Sequence, residues 1–301
     1  MLNVTAGGRA QPYDSFVVEV GVVVTAFNQG DLVLEAVQSV RRQSRGVADL
    51  VVVDDGSTDA ASLRMLAALE HQGLARVVHR PNGGVSAARN TGLGALGTEF
   101  AVVLDGDDRL APTFVEATAA VLENDPDVVA ASSWLQMHGV VRAVARPPGG
   151  DAAAFLHRNA CPSAVLLRRA RWREAGGYDE QMRSGFEDWD FFLRLLSSGG
   201  RIEIVPQLLV EYRTAPDSLN MRSMDQRLEL YGQIIDRHRP LFDRHLREVL
   251  LAQEAASTRR LSDWEHLMSL RDDVPIEEAT YGDGGMAAAV RIATRRQIRA
   301  R

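Results

Sequence analysis

Three carboxylates within four positions, Asp105, Asp107 and Asp108, follow the apolar run Val102-Val103-Leu104. Such a run reads as a buried strand. Unpaired carboxylates crowded at its end repel one another and lose hydration. A hard divalent cation relieves that repulsion. Mg²⁺ or Mn²⁺ bound by one or two carboxylates completes its shell with water and substrate phosphates. A metal-bridged diphosphate is therefore one chemistry that fits, with Gly106 at the turn. A solvated acidic turn is the other, since Pro112 is well placed to start a helix.

A second acidic cluster stands far downstream in Gly185-Phe186-Glu187-Asp188-Trp189-Asp190-Phe191-Phe192. The dipole of a helix start favours acids, which accounts for one or two of them. Beside an aromatic wall, a carboxylate is pushed towards the pKa of a working general base. Asp54-Asp55-Gly56-Ser57-Thr58-Asp59 follows another apolar run, Leu50–Val53. Ser57 or Asp59 suits a helix cap. Capping does not explain the adjacent acids, and a carboxylate there can accept from a uracil N–H. In Asn82-Gly83-Gly84-Val85-Ser86-Ala87-Ala88-Arg89-Asn90, glycines precede a helix start, whose N–H groups can face a phosphate. A flexible turn explains the same glycines. Arg89 suits either a diphosphate or one of the acidic clusters.

Elements to hold these groups are legible around them. Val17–Val24 is strand-like and ends at Thr25-Ala26-Phe27-Asn28; Leu32, Ala36, Val37 and Val40 then recur at helical spacing. Leu50–Val53, Arg76–His79 and Phe100–Leu104 read as three further strands, with helices between. This alternation predicts a parallel sheet with crossover helices, covered on both faces. The clusters at 25–28, 54–59 and 105–108 then share the sheet edge where ligands bind in open α/β folds. Residues 128–150 read as another strand and a Pro/Gly-rich loop, and 151–200 as helices. A strand pair is expected around Pro206, and helices from Met224 to about Leu270. The repeated Asp-Arg-His at 236–238 and 243–245 reads as a solvated helix face. Gly92-Leu93-Gly94-Ala95-Leu96-Gly97 matches the spacing of a dinucleotide fingerprint, but a helix precedes it and a strand follows, the reverse of the required context.

The 301 residues are 46% hydrophobic and 25% charged, values of a globular chain with room for a large core. A net charge of −6 argues against general nucleic-acid binding. There is no lysine, which excludes a Walker A loop; all 34 basic residues are arginine, read here as coding bias. Cys161 is the only cysteine, so no intrachain disulfide can form, which fits a reducing cytoplasm. Residues 1–15 lack a signal pattern, and no apolar run approaches the ~20 residues of a membrane span. Neither a Cys/His zinc pattern nor a nucleophile elbow is present.

Taken in order, Thr25–Asn28, Asp54–Asp59, Asn82–Asn90, Asp105–Asp108 and Gly185–Asp190 resemble the family 2 glycosyltransferases of GT-A fold, over about residues 17 to 220. The resemblance implies an α/β, Rossmann-like, mostly parallel sheet flanked by helices, with a helical C-terminal extension. It divides the chain into an N-terminal segment 1–16, a glycosyltransferase domain 17–223 and an extension 224–301. The domain's nucleotide-binding half is about 17–110 and its acceptor half about 111–223. The implied activity is inverting transfer from a nucleotide-diphosphate sugar, most often a UDP-sugar, with Mn²⁺ or Mg²⁺.

Carried onto these positions, Thr25, Ala26, Phe27 and Asn28 lie beside the nucleoside, and Asp55 is the uracil partner supported by Asp54. Asn82, Gly83 and Arg89 contact the base or diphosphate. Asp107 faces ribose and metal, Asp108 is the main metal ligand, and Asp105 and Gly106 support them. Asp188 is the catalytic base with Glu187 beside it, and Trp189 and Trp134 lie on the acceptor side. Residues 134–165, with His138, His157 and Cys161, are expected to meet the acceptor. Two departures stand out. Ala26 replaces a common Pro, and Ala215 replaces a histidine in Tyr212–Ser218, leaving Arg213, Asp217 or water to complete the metal's shell.

Two other readings share these features. A sugar nucleotidyltransferase would want a Gly-rich basic loop after the first strand, where Thr25–Gly30 has no basic residue. A non-catalytic nucleotide-sugar-binding protein of the same fold would account for Ala215. Expected partners are the nucleotide-sugar donor and a sugar, lipid-linked or small-molecule acceptor, without nucleic acid. Residues 291–301 carry five arginines and no acid, which suits either weak contact with anionic lipid or a solvated end. Residues 224–301 offer a surface for a homodimer. The expected location is the cytoplasm, at the inner membrane face if the lipid contact forms.

Overall fold

A computed structural model describes residues 18–216, 218–280 and 283–299. The N-terminal segment 1–16, Val17, Asp217 and the last two residues of the basic end lie outside the described residues.

Strand and helix alternate first, as β1 (Val20–Ala26), α1 (Leu32–Arg41), β2 (Asp49–Asp54), α2 (Ala60–His71), β3 (Arg76–His79), α3 (Val85–Ala95) and β4 (Phe100–Asp105). The strands lie in the order β3-β2-β1-β4, all parallel, as the alternation predicts. Successive side chains of a strand point to opposite faces, and here both faces are buried. Val22, Val24, Val52, Val102 and Leu104 join α1 and α2 in one core. Val23, Val51, Val53, Ala101 and Val103 join α3 in the other. Gly92 belongs to that second core. A Cβ at Gly92 would come within 2.2 Å of the Val23 side chain, so Gly92 serves helix–strand packing, and none of residues 92–97 lines the cavity described below.

The second half adds β5 (Arg109–Leu110), α4 (Phe114–Asn124), β6 (Val128–Gly139), β7 (Ala143–Ala145), α5 (Ala152–Leu156), β8 (Val165–Arg168), α6 (Arg169–Glu174), α7 (Glu187–Leu196) and β9 (Arg201–Thr214). The sheet continues as β4-β8-β6-β9-β5, with β7 on β6. β8 runs antiparallel to both neighbours, so the expected parallel sheet is parallel in its first half and mixed beyond. Residues 151–200 are expected to be helical, and four residues inside them, three of them buried, form this strand. The strand pair around Pro206 is one continuous strand. Pairing with β6 jumps from Val205↔Ser133 to Leu208↔Trp134, and the bulge accommodates a residue with no N–H to donate.

The chain ends in α8 (Leu219–Asp225), α9 (Arg227–Arg237), α10 (Arg239–Arg244), α11 (Leu246–Ser269) and α12 (Gly285–Arg299). The first Asp-Arg-His triplet departs from the solvated face expected of it. His238 is buried where α9 breaks into α10, its Nε2 3.0 Å from Asp190 of α7. Arg237 reaches Asp179 and Asp190. The basic end is also engaged. Arg291 and Arg295 pair with Glu265, Arg296 donates to the carbonyls that close α11, and Arg299 pairs with Asp272. Among the described residues no helix is long and apolar enough to cross a membrane.

Candidate active site

The loops after β1, β2 and β3 are clasped together at the sheet edge. Asn28, held at φ 52, accepts at Oδ1 from the backbone N–H groups of Thr58 and Asp59, and its own N–H donates to Ser57. Asparagine tolerates this left-handed backbone better than most residues. Asn28 was expected beside the nucleoside; it instead ties two loops, while exposed Phe27 faces the cavity. Asp54 is buried and supports the loop as expected, accepting from the Ser57 N–H and lying 2.8 Å from His79. Burial pushes its carboxyl up, but the bonds to Ser57 and His79 outweigh that and hold it below the usual range.

Asp55 is fixed at both oxygens. Arg80 and the Gly83 N–H donate to Oδ1, and the Gly84 N–H donates to Oδ2. These glycine N–H groups, expected to face a phosphate, are therefore committed to a carboxylate. A Cβ at Gly83 would lie 2.5 Å from the Arg80 guanidinium, so Arg80 would have to shift from its place on Asp55.

The β4 end sorts its three acids. Asp105 accepts from Thr25, Ser163 and, at both oxygens, Arg89. Burial pushes it up, but the Arg89 charge and these bonds bring it below the ordinary value. Asp107 and Asp108 go the other way, lifted by burial and by the charge of Asp105, Asp108 the more strongly. Asp107 accepts from Gln29 at 3.3 Å, and Asp108 Oδ1 accepts from the Arg213 N–H at 2.7 Å. Tyr212, beside them, is pushed up to about 12 by burial and the charges of Asp108 and Asp105, and keeps its proton.

Of the two roles open to Arg89, the structure shows the acidic pairing. It is 2% exposed, and NH1 donates to Glu187 at 2.9 Å while NH2 serves Asp105. Asp188, next to Glu187 in the first turn of α7, is raised to about 7 by burial and by the Glu187 charge, with Arg89 acting against them. Its Oδ2 accepts from Asn159 at 2.9 Å, and its Oδ1 from the Trp189 N–H. The Trp189 indole is 1% exposed, donates to the Phe155 carbonyl and stacks on Tyr231. It therefore backs the site from the core more than it faces an acceptor.

One cavity of about 870 Å³ joins these groups. Thr25, Ala26, Phe27, Asp55, Asn82, Gly83, Arg89, Asp105, Asp107, Asp108, Glu187, Asp188 and Trp189 all line it. Trp134 does not. Leu135 and Met137 of β6 line the cavity, while the Trp134 ring lies under the Arg146 guanidinium at 5.0 Å. Of the residues expected on the acceptor side, Cys161 lines it. Its thiol is pushed up by burial and the Asp188 charge, which keeps it protonated. Sequence reasoning missed Arg80, Asn159 and Gln29 as partners of the acids; each lies far from its partner along the chain, and no local spacing marks it.

Among the described residues no three Asp, Glu, His or Cys side chains converge as a closed metal cage. Asp107 and Asp108 are a two-carboxylate donor set whose mutual repulsion and burial a cation would relieve, which fits a hard cation that keeps water and phosphate ligands.

The family model described as "Glycosyl transferase family 2" matches residues 21–147, and that described as "Glycosyltransferase like family 2" matches residues 129–232. The chain is 26% identical over 229 residues to the uncharacterized glycosyltransferase EpsJ of Bacillus subtilis, covering 70% of this chain and 66% of that one. It is 28% identical over 220 residues to the succinoglycan biosynthesis protein ExoO of Rhizobium meliloti, covering 67% and 62%. The matches thus span just under two thirds of these relatives' length. The crystal structure of S. aureus TarS 1-349 matches with a TM-score of 0.60 at 19% identity, covering 77% of this chain and 70% of that one. The same protein in complex with UDP-GlcNAc matches at 0.58 and 14% identity, covering 93% and 89%. At such identities the likeness is one of fold.

Proposed function

Starting from the premise that this chain belongs to the family 2 glycosyltransferases, we propose that it moves a sugar from a UDP-sugar to an acceptor hydroxyl by a single inverting displacement. The observation that carries this reading is the pairing, in one cavity, of a carboxylate raised to about 7, Asp188, with the Asp105-Asp107-Asp108 cluster. UDP as the nucleotide is supported by the UDP and UDP-GlcNAc complexes of the TarS fold relative.

Asp188 is the base. Its raised pKa lets it hold an acceptor proton near neutral pH, as efficient general bases do. Asn159 fixes its Oδ2, and the stacked rings of Trp189 and Tyr231 lie next to it in the chain's core. Asp55, held by Arg80 and the Gly83–Gly84 backbone, is the hydrogen-bond acceptor for the uracil. Arg89 pairs with Asp105 and with Glu187, drawing β4 and α7 together. Asp107 and Asp108 would hold Mn²⁺ or Mg²⁺, which would neutralise charge on the departing diphosphate. The acceptor oxygen attacks the anomeric carbon from the face opposite the leaving group, so one displacement inverts the centre, by the logic of inverting glycosidases. No protein nucleophile is required, consistent with the protonated Cys161.

Incubating the full chain with a panel of UDP-, GDP- and dTDP-sugars, with Mn²⁺ present, tests this. Release of UDP from a UDP-sugar is the expected result. Exclusive use of another nucleotide, or no turnover of any donor with a broad acceptor mixture, contradicts it.

A further inference from the structure

We propose that the acceptor is anionic, carrying a phosphate or carboxylate close to the hydroxyl that Asp188 deprotonates. This rests on the glycosyltransferase reading of the site and adds the chemical class of its second substrate.

The cavity is electrostatically divided. Asp55, Asp105, Asp107 and Asp108 lie on its sheet-edge side. Three arginines from three separate elements, Arg158 between α5 and β8, Arg222 in α8 and Arg227 at the start of α9, line the same cavity as Asp188. Each is anchored to the segment that carries Asp188. Arg158 directly precedes Asn159, whose amide holds Asp188 Oδ2. Arg222 precedes Ser223, which packs so closely on the turn before α7 that a Cβ at Gly185 would come within 2.6 Å of it. The Arg227 guanidinium carbon lies 5.7 Å from the ring of Phe186, the residue that opens α7.

Among the described residues none of the three forms an ion pair. Arg80, Arg89 and Arg194 nearby are each held by an acid. The one polar side-chain partner of Arg227 is the Met224 sulfur, at 3.8 Å. All three are exposed residues lining one cavity without an acidic partner, free to take an anion that enters it. The guanidinium fork matches phosphate and carboxylate oxygens two at a time. The donor diphosphate is the competing claimant. Its side of the cavity already has Arg183, whose side chain lies against Gly84. The three arginines belong to segments that touch Asp188 or the start of α7, the group that must meet the acceptor hydroxyl, so we assign their charge to the acceptor.

Calorimetry on the full chain saturated with UDP and Mn²⁺ tests this with two matched pairs of probes, trigalacturonate against maltotriose and glucose 6-phosphate against glucose. At least one anionic probe should bind about tenfold more tightly than its neutral counterpart, and the advantage should shrink as salt rises. The two pairs separate a carboxylate acceptor from a phosphate one. The triple variant Arg158→Glu/Arg222→Glu/Arg227→Glu should lose the advantage and keep UDP affinity within about twofold. If it fails to fold, the single Arg→Gln variants should each reduce the advantage. Equal binding of neutral and anionic probes, or no binding of either pair, overturns the proposal. So does loss of UDP affinity in a folded variant, which would assign the arginines to the donor. Failure of the wild-type chain to bind UDP would contradict the glycosyltransferase reading, and the probe comparison run without UDP would still decide this one.

Discussion

Arg89 and Glu187 are 98 residues apart in the chain, and their side chains meet at 2.9 Å in the buried floor of the cavity. The same guanidinium holds both oxygens of Asp105. A single buried cation thus joins the end of β4, which carries Asp105, to the start of α7, which carries Glu187 and Asp188. The two acidic clusters are one electrostatic unit.

Arg89→Met should therefore be severe. It leaves the buried Glu187 and the half-buried Asp105 without their counter-charge, a loss of about 3 kcal/mol by analogy with other broken buried pairs. Urea denaturation measures it, and a cost below about 1 kcal/mol would show that the pairing contributes little.

Activity should rise with pH through neutrality, because Asp188 works in its ionised form and its carboxyl is raised to about 7. The hydrogen bond from Asn159 favours the ionised form. Asn159→Ala should therefore move the acidic limb of the kcat/KM profile to higher pH. An unchanged or lower midpoint would separate Asn159 from the base.

Asp108→Ala should weaken UDP binding in Mn²⁺ by roughly tenfold or more. In EDTA the variant and the wild type should bind alike. Calorimetry with and without the metal reads both, and an equal loss in EDTA would make Asp108 a direct nucleotide contact.

Gly92→Ala tests the packing that places α3 and hence Arg89. The new Cβ would meet Val23 at 2.2 Å, and overpacking of this kind costs about 1–3 kcal/mol. A thermal melt should shift down. No shift would mean that α3 moves away from β1 without penalty.

The first half of the fold was legible because its strands are buried on both faces, so Val22–Val24, Val51–Val53 and Val102–Leu104 stand out as apolar runs between helical patterns. The acids at the strand ends were legible for the same reason, since buried strands rarely end in carboxylates without cause. β8 was hidden because four residues between helices carry too little periodicity. Pro206 suggested a break because a bulge leaves no mark in sequence. The partners of the acids were hidden by distance along the chain. Asn159 lies 29 residues from Asp188 and Arg80 lies 25 from Asp55. His238 resembled a surface residue because its burial depends on how α9 and α10 meet α7. Asn28 and Trp134 show a further limit, since a motif position does not specify which way its side chain turns.

Removal of the acceptor proton by Asp188 can be read from a single substitution, Asp188→Asn. The substitution keeps the shape and the bond to the Trp189 N–H while removing the basic oxygen. UDP affinity by calorimetry should stay within about twofold, and turnover of the UDP-sugar with acceptor should fall by about 10²–10⁴, the contribution of a general base. Turnover near the wild-type rate, in a variant that still binds UDP, would contradict the account.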